Sequence, residues 1–366
     1  MAPHTLVFAL VAMMAGAGSI AGAATLPEFP ANAVWSRDIS QATLSPNSSA
    51  MIAATGGWGS GNRFKIDQSM HVLHVSAANE ASVPRVAVVA DPDPNVGYSL
   101  PDCEPMNGLT FPLPNAGSIE GQSGYTCDNS EDGEDCHLLV VLDGSKKLYE
   151  SYKSNVVSGH LQSGCVVIWD LNKVYPPQGR GEQCTSVDGA GFPVASLLFN
   201  ADEVYAASQV ANGTIGHAIR FILPNSSMAD DVYVHPASHA GAPRGAASKI
   251  PYGSRLRLKS SFDVDAFSDN AAARIILRSM QKYGIVLSDG GNIALTAESD
   301  AFTTHKWSDF GFDEDDVYME NMLIGVQLSD FEVVETGPQI ALTYKCDSGG
   351  NQLVAKDFIF IDPFDY

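Results

Sequence analysis

Residues 138–150, LLVVLDGSKKLYE, set two β-prone runs on either side of an Asp143-Gly144 pair. Asp-Gly between such runs is a specific hairpin signal, because both residues accept the backbone angles of a tight reversal. Similar short runs recur at 70–75, 85–89 and 165–169, each bounded by Pro, Gly, Asn or Asp. Strands of this length, separated by turns, bury their faces against one another. The expected fold is therefore mainly β: a sandwich or jelly-roll-like sheet core with two or three packed helices.

Two helices have clear punctuation. Asn200 with Glu203 makes a capping-box start to ADEVYAASQVA, and Asn212-Gly213 stops it. Ser268 precedes DNAAARIILRSMQKY, whose Ala272, Ile276, Met280 and Tyr283 fall near one face, with Gly284 after the end. A further helical stretch is expected around 45–54. IVLSDGGNIALTA then reads as a hairpin turning at residues 288–291.

The chain opens with an apolar run from about Leu6 to Met14 and an Ala21-Gly22-Ala23 triplet, the pattern of a cleaved export signal over residues 1–23. Residues 24–366 hold no long linker and no repeat, and are read as one secreted β-rich domain. Six cysteines, Cys103, Cys127, Cys136, Cys165, Cys184 and Cys346, suit three disulfides in an oxidising compartment, with the pairing open. Asn47, Asn212 and Asn225 head glycosylation triplets. A net charge of -21 argues against nucleic acid or an anionic membrane as partner. The reading is of a monomer outside the cell.

Reactive side chains are densest between His217 and Asp289. In GHAIRFIL, alternation places His217, Ile219 and Phe221 on one face, so a partly buried His217 can serve as a general base. VYVHPASHAG carries His235 and His239. A zinc or copper site with His217 is conceivable by ligand type, but Pro236 argues for extended chain, where four-residue spacing loses its meaning. No metal or other cofactor is expected. The acidic loop 128–135 matches half of a calcium loop, yet Leu139 stands where the bidentate Glu belongs. The acidic run 312–316 reads as a solvated face. Arg220, Arg244, Arg255, Arg257 and Lys259 form a basic group in this acidic chain, and Arg255, Arg257 and Lys259 alternate along one strand.

GHAIRFILP, VYVHPASHA, GSRLRLKSSFDV and ARIILRSMQKYGIVLSDGG, with FPANAVWSRDIS, resemble a family of secreted, mainly actinobacterial-type proteins of unassigned activity. GHAIRF and RLRLKSSFD carry most of that resemblance, which spans most of the mature chain. It implies counterparts for His217, Arg220, His239 and Asp289, and an aromatic residue in place of His235. It brings a residue shortlist and no reaction.

The functional expectation is a glycoside hydrolase or polysaccharide lyase acting on extracellular polysaccharide. His217 or His239 would be the base and Asp289 the acid. Arg220 and Arg255 would steady charged substrate, and Trp169, Trp307 and Tyr252 would offer sugar platforms. Asp170, Asp202, Glu203, Asp263 and Asp265 are further carboxylates that sequence does not rank. The alternative is a non-catalytic carbohydrate-binding or cell-surface adhesion protein. The enzyme reading requires GHAIRF and VYVHPASH to be neighbouring strands whose imidazoles converge.

Overall fold

A computed structural model describes residues 26–91, 102–127, 135–312 and 317–347. The expected export signal, the calcium-like residues Asp128 to Asp132 with Gly133, most of the 312–316 run and the C-terminal FIFIDPFDY lie outside these residues. The fold is mainly β, with few helices and four mixed sheets.

Two four-stranded sheets form the sandwich. One has the order β2-β5-β6-β9, from Val72–Val75, Leu138–Leu142, Lys147–Tyr152 and Cys165–Asp170. The other has the order β4-β3-β8-β7, from Thr110–Pro112, Arg85–Ala90, His160–Ser163 and Asn155–Val157. Leu138, Val140, Leu142 and Val166 meet Val88, Phe111 and Leu161 between them. The alternate residues Leu139, Val141, Leu148, Val167 and Trp169 pack on the opposite face against Leu26, Phe29, Val194 and Leu198. Cover on both faces is why LLVVL is apolar without a break. The Asp143-Gly144 signal is borne out: Leu142 pairs with Lys147 across the reversal.

The largest sheet has six strands in the order β1-β15-β10-β14-β13-β16, from Ile66–Met70, Leu295–Glu298, Ile219–Leu223, Ile285–Gly290, Arg255–Leu258 and Phe331–Val333. A small sheet joins β12 (Ile250–Tyr252), β11 (Met228–Tyr233) and β17 (Ile340–Ala341). The helices Ala201–Ser208 and Ala271–Lys282 both contribute buried residues to the core of the six-stranded sheet. Both helix signals hold. Asn200 forms its capping box with Glu203, whereas the second cap is Asn270 in place of Ser268. Asn270 accepts from the amides of Ala272 and Ala273, and Ser268 Oγ accepts from Asn270 N. Gly284 has φ 74, and a Cβ there would lie 2.4 Å from Leu256 O, so only glycine fits. The third expected helix spans Ser48–Thr55.

Two topological expectations fail. IVLS and IALTA do not pair with each other, because β10 inserts between β14 and β15 and bonds to both. A strand apolar on both sides finds its lowest energy at the sheet centre, whatever the local turn signal. GHAIRF and VYVHPASH also part company: β10 belongs to the six-stranded sheet and β11 to the small one.

Three disulfides are formed: Cys103–Cys165, Cys127–Cys136 and Cys184–Cys346. Among the described residues no helix is long and apolar enough to cross a membrane. Asn47 and Asn212 are exposed, while Asn225 is half-buried, with its side chain where a Cβ on Gly290 would fall.

Candidate functional site: a charged row under a glycine-containing strap

Across the six-stranded sheet, Asp67 on β1 is the register partner of Thr296 on β15, and Thr296 Oγ1 accepts from Arg220 Nη1 of β10 at 2.6 Å. Between β10 and β14 the register slips: Phe221 faces Leu287, but Ile222 faces Asp289. This bulge spends Ser288 as the extra residue and turns Asp289 to the face that carries Arg220, since one inserted residue exchanges the two faces of a strand. The outcome is a polar row of Asp67, Thr296, Arg220 and Asp289 across β1, β15, β10 and β14.

Residues 185–191, TSVDGAG, strap this row to the sandwich. Val187 O accepts from His137 Nε2 (2.9 Å), and Asp188 Oδ1 accepts from Arg220 Nη2 (2.6 Å). Gly189 N donates to Asp289 Oδ2 (3.1 Å), Gly189 O accepts from His239 Nδ1 (2.8 Å), and Ala190 N donates to Ser288 O (2.7 Å). A Cβ on Gly189 would sit 2.5 Å from Asp289 Oδ1, so the strap can lie this close only as glycine.

At the sandwich end, Glu120 Oε2 accepts from both N and Nδ1 of His137, at 3.1 and 2.7 Å. Both ring nitrogens of His137 meet acceptors, so this ring is an imidazolium; the Glu120 carboxylate raises its pKa to about 9 against the opposing effect of burial. His137 in turn holds Glu120 below the usual carboxylate range although burial opposes it. Ser69 Oγ lies 3.0 Å from Asp67 Oδ2 and 3.3 Å from Glu120 Oε1, so one hydroxyl separates the two carboxyl groups. Burial, with Glu120 next, pushes Asp67 up. Asp135 is also raised by burial, and its charge acts on His137 and Asp289. Sequence reasoning missed Asp67, Glu120, Asp135, His137 and Asp188.

Of the expected residues, Arg220, His239, Asp289 and Tyr252 come together here. The Asp289 side chain is 32% exposed, and desolvation raises its pKa. His239 is buried, which lowers its pKa to about 4. With Nδ1–H given to Gly189 O, its neutral ring turns the Nε2 lone pair away from the strap. Tyr252 is fully buried behind Gly189 and Gly241, so it backs the site and is no platform.

The others stand elsewhere. His217 gives Nδ1–H to Ala218 O and Nε2–H to Glu203, whose charge raises its pKa, so it is a pinned cation and no base. Arg255 donates to the carbonyls of Val34, Trp35, Arg37 and Tyr283 and clamps the N-terminal segment. Arg257 is taken by Glu332, and Lys259 by Ser329 O. Trp169 and Trp307 are 1% and 3% exposed, inside two cores, and cannot stack on sugar. His235 pairs with Glu182, so the three histidines have three separate partners and do not converge on an ion. Among the described residues, the one group of possible ligand atoms within 4.8 Å of each other is Asp102, Cys184 and Cys346, and those cysteines share a disulfide.

Burial also sets a pH dependence. Glu298, which accepts from Asn200 Nδ2, has its pKa raised by burial to about 8, and burial raises Glu150 and Asp188 to about 7. Folded carboxyls with raised pKa values hold protons that the unfolded chain has released, so their contribution is lost as pH rises from the ordinary carboxylate range through these values. His137 has the same sign: its stabilisation is complete below the ordinary histidine pKa and lost through about 9. Groups with lowered values oppose mostly outside this range: buried His239, lowered to about 4, and buried His71 act on the acid side, as does Glu120, while Arg255, lowered by burial to about 9, acts above it. The thermal midpoint should therefore fall from about pH 6 to about pH 9, and Glu298→Gln should flatten that slope. A midpoint that rises over this range contradicts the assignment.

No protein-family model, curated protein or solved structure matches this chain.

Proposed function

We propose that the protein is a secreted glycoside hydrolase acting on a neutral extracellular polysaccharide, with Asp67 and Glu120 as its carboxyl pair. The observation that carries this reading is the Ser69-bridged pair itself, whose two members are pushed in opposite directions. Two carboxyls with separated pKa values divide the work of glycoside hydrolysis. Asp67, raised, gives its proton to the leaving glycosidic oxygen, while Glu120, ionised, supplies negative charge at the anomeric carbon or draws a proton from water. The C–O bond breaks, water adds, and a reducing end is released.

The lyase alternative needs solvent-facing cations to neutralise a uronate, and Arg220 and Arg255 are both consumed by protein acceptors. Carboxyls outnumber cations in the site, which repels an anionic chain. The binding-module alternative shares the same cleft without chemistry, and the platforms expected for either reading, Trp169 and Trp307, are buried, which leaves the paired carboxyls as the feature that favours hydrolysis. Three disulfides agree with export.

The test is to incubate the mature chain with neutral glucans, mannans, xylans, galactans and arabinans, and with uronans. Reducing ends and the absorbance of unsaturated sugars are followed together. New reducing ends from a neutral polymer are expected. Unsaturated product from a uronan would replace the proposal with a lyase, and retention without turnover would replace it with a binding module.

A further inference from the structure

Three large aromatic side chains are exposed among the described residues: Tyr205, Phe302 and Tyr344. Two of them touch a histidine of the site. Phe302, 40% exposed, sets its ring edge-on to His71 with centroids 5.4 Å apart. His71 is buried beside Glu120, whose charge it feels, and Gly121 N donates to Ser69 O in the same corner. Tyr344, 36% exposed, sets its ring edge-on to His239, also at 5.4 Å, and its hydroxyl donates to Gly241 O. A left-handed backbone at Tyr344, φ 53, fixes that ring position. His239 leads through Gly189 to Asp289. An exposed aromatic ring thus stands by the histidine beside Glu120, and another by the histidine that holds the strap over Asp289.

From this juxtaposition, and resting on the hydrolase reading above, we infer that Phe302 and Tyr344 are sugar-stacking subsites, Phe302 beside the carboxyl pair and Tyr344 toward the Asp289 end of the row, so the enzyme holds several units of a long chain and cleaves within it. The row runs from β1 to β14, three inter-strand steps or about 14 Å. That span exceeds one sugar ring, and a site with a platform at only one end would favour chain termini. Ring faces of Phe and Tyr present large apolar area with few rotatable bonds, which suits the apolar faces of neutral sugars. Tyr205 makes the natural control, since its ring stacks on His305, away from the row.

The test separates binding from turnover. In an inactive Glu120→Gln background, Phe302→Ala, Tyr344→Ala and Tyr205→Ala are run through native gels cast with a soluble neutral glucan, mannan, xylan, galactan or arabinan. The parent variant should be retarded by at least one polymer. Phe302→Ala and Tyr344→Ala should each weaken that retardation about tenfold in apparent Kd, and Tyr205→Ala should leave it unchanged. With active protein, the viscosity of the retarding polymer should fall well ahead of reducing-end release. The subsites are overturned if no polymer retards the parent, or if all three variants bind alike; end-only release of small sugars overturns internal cleavage. Because retardation needs no catalysis, platforms that bind without any hydrolysis would sink the hydrolase reading and leave the subsites standing.

Discussion

Glu120→Gln is expected to lower turnover of the polysaccharide ~10²–10⁴-fold, the usual contribution of a positioned proton-transfer or charge-stabilising group. The fold should survive, because the amide fills the same space between Ser69 and His137 and its oxygen can still accept from His137. The partner variant behaves differently. Asp67→Asn should lose turnover of a natural glycoside by a similar factor, yet keep most activity on an aryl glycoside whose leaving group needs no proton. Glu120→Gln should lose both substrates. The pH profile follows from the same pair: His137 holds Glu120 low, so the acid limb lies below the ordinary carboxylate range, while the raised Asp67 places the alkaline limb above it. Asp67→Asn removes the alkaline limb. Full activity in Glu120→Gln, or equal losses on both substrates for Asp67→Asn, would reassign the chemistry.

How much of this was legible depended on sequence distance. The β5–β6 hairpin, the capping box at Asn200 and the helix ending before Gly284 are decided by neighbours in the chain, and local signals placed them. Arg220, His239 and Asp289 were found because they stand in one histidine- and arginine-rich stretch. Their partners were not. Asp67, Glu120, His137 and Asp188 come from four separate segments that only the packing of the sandwich on the six-stranded sheet brings together. Asp188-Gly189-Ala190-Gly191 did carry a usable signal, since alternate glycines after an acid mark a backbone that must pass close to something. The Ser288 bulge carried none: nothing in IVLSDGG says that Asp289 changes faces. The histidine count misled for a physical reason. His217 stands two residues before the strand that carries Arg220, and a carboxylate on the helix Ala201–Ser208 claims it first.

Arg220→Ala should cost about 3–5 kcal/mol of folding free energy, the usual penalty for removing one member of a buried ion pair. Its side chain is 5% exposed and that of Asp188 not at all, with 2.6 Å between Nη2 and Oδ1. Loss of the guanidinium also frees Thr296 and removes the positive charge 3.8 Å from Asp289, while the strap loses its Asp188 anchor on the sheet. The size of the loss should depend on pH. Burial already raises Asp188 to about 7, with Arg220 the main force pulling it down. Without Arg220 the folded value moves higher still, so the carboxyl stays protonated at pH 5 and the variant is least harmed there. The unfolded chain has released this proton at both pH values, but between them the parent carboxyl ionises beside Arg220 while the variant must keep its proton or bury an unpaired charge, so the loss grows toward pH 8. Urea midpoints of Arg220→Ala at the two pH values measure the difference. Asp188→Asn in the same chain should recover much of the pH 8 loss and little of the pH 5 loss, a coupling that a double-mutant cycle reads directly. Equal destabilisation at both pH values would mean that Arg220 acts by filling space, and that the charge of Asp188 is compensated by some group other than the one it touches.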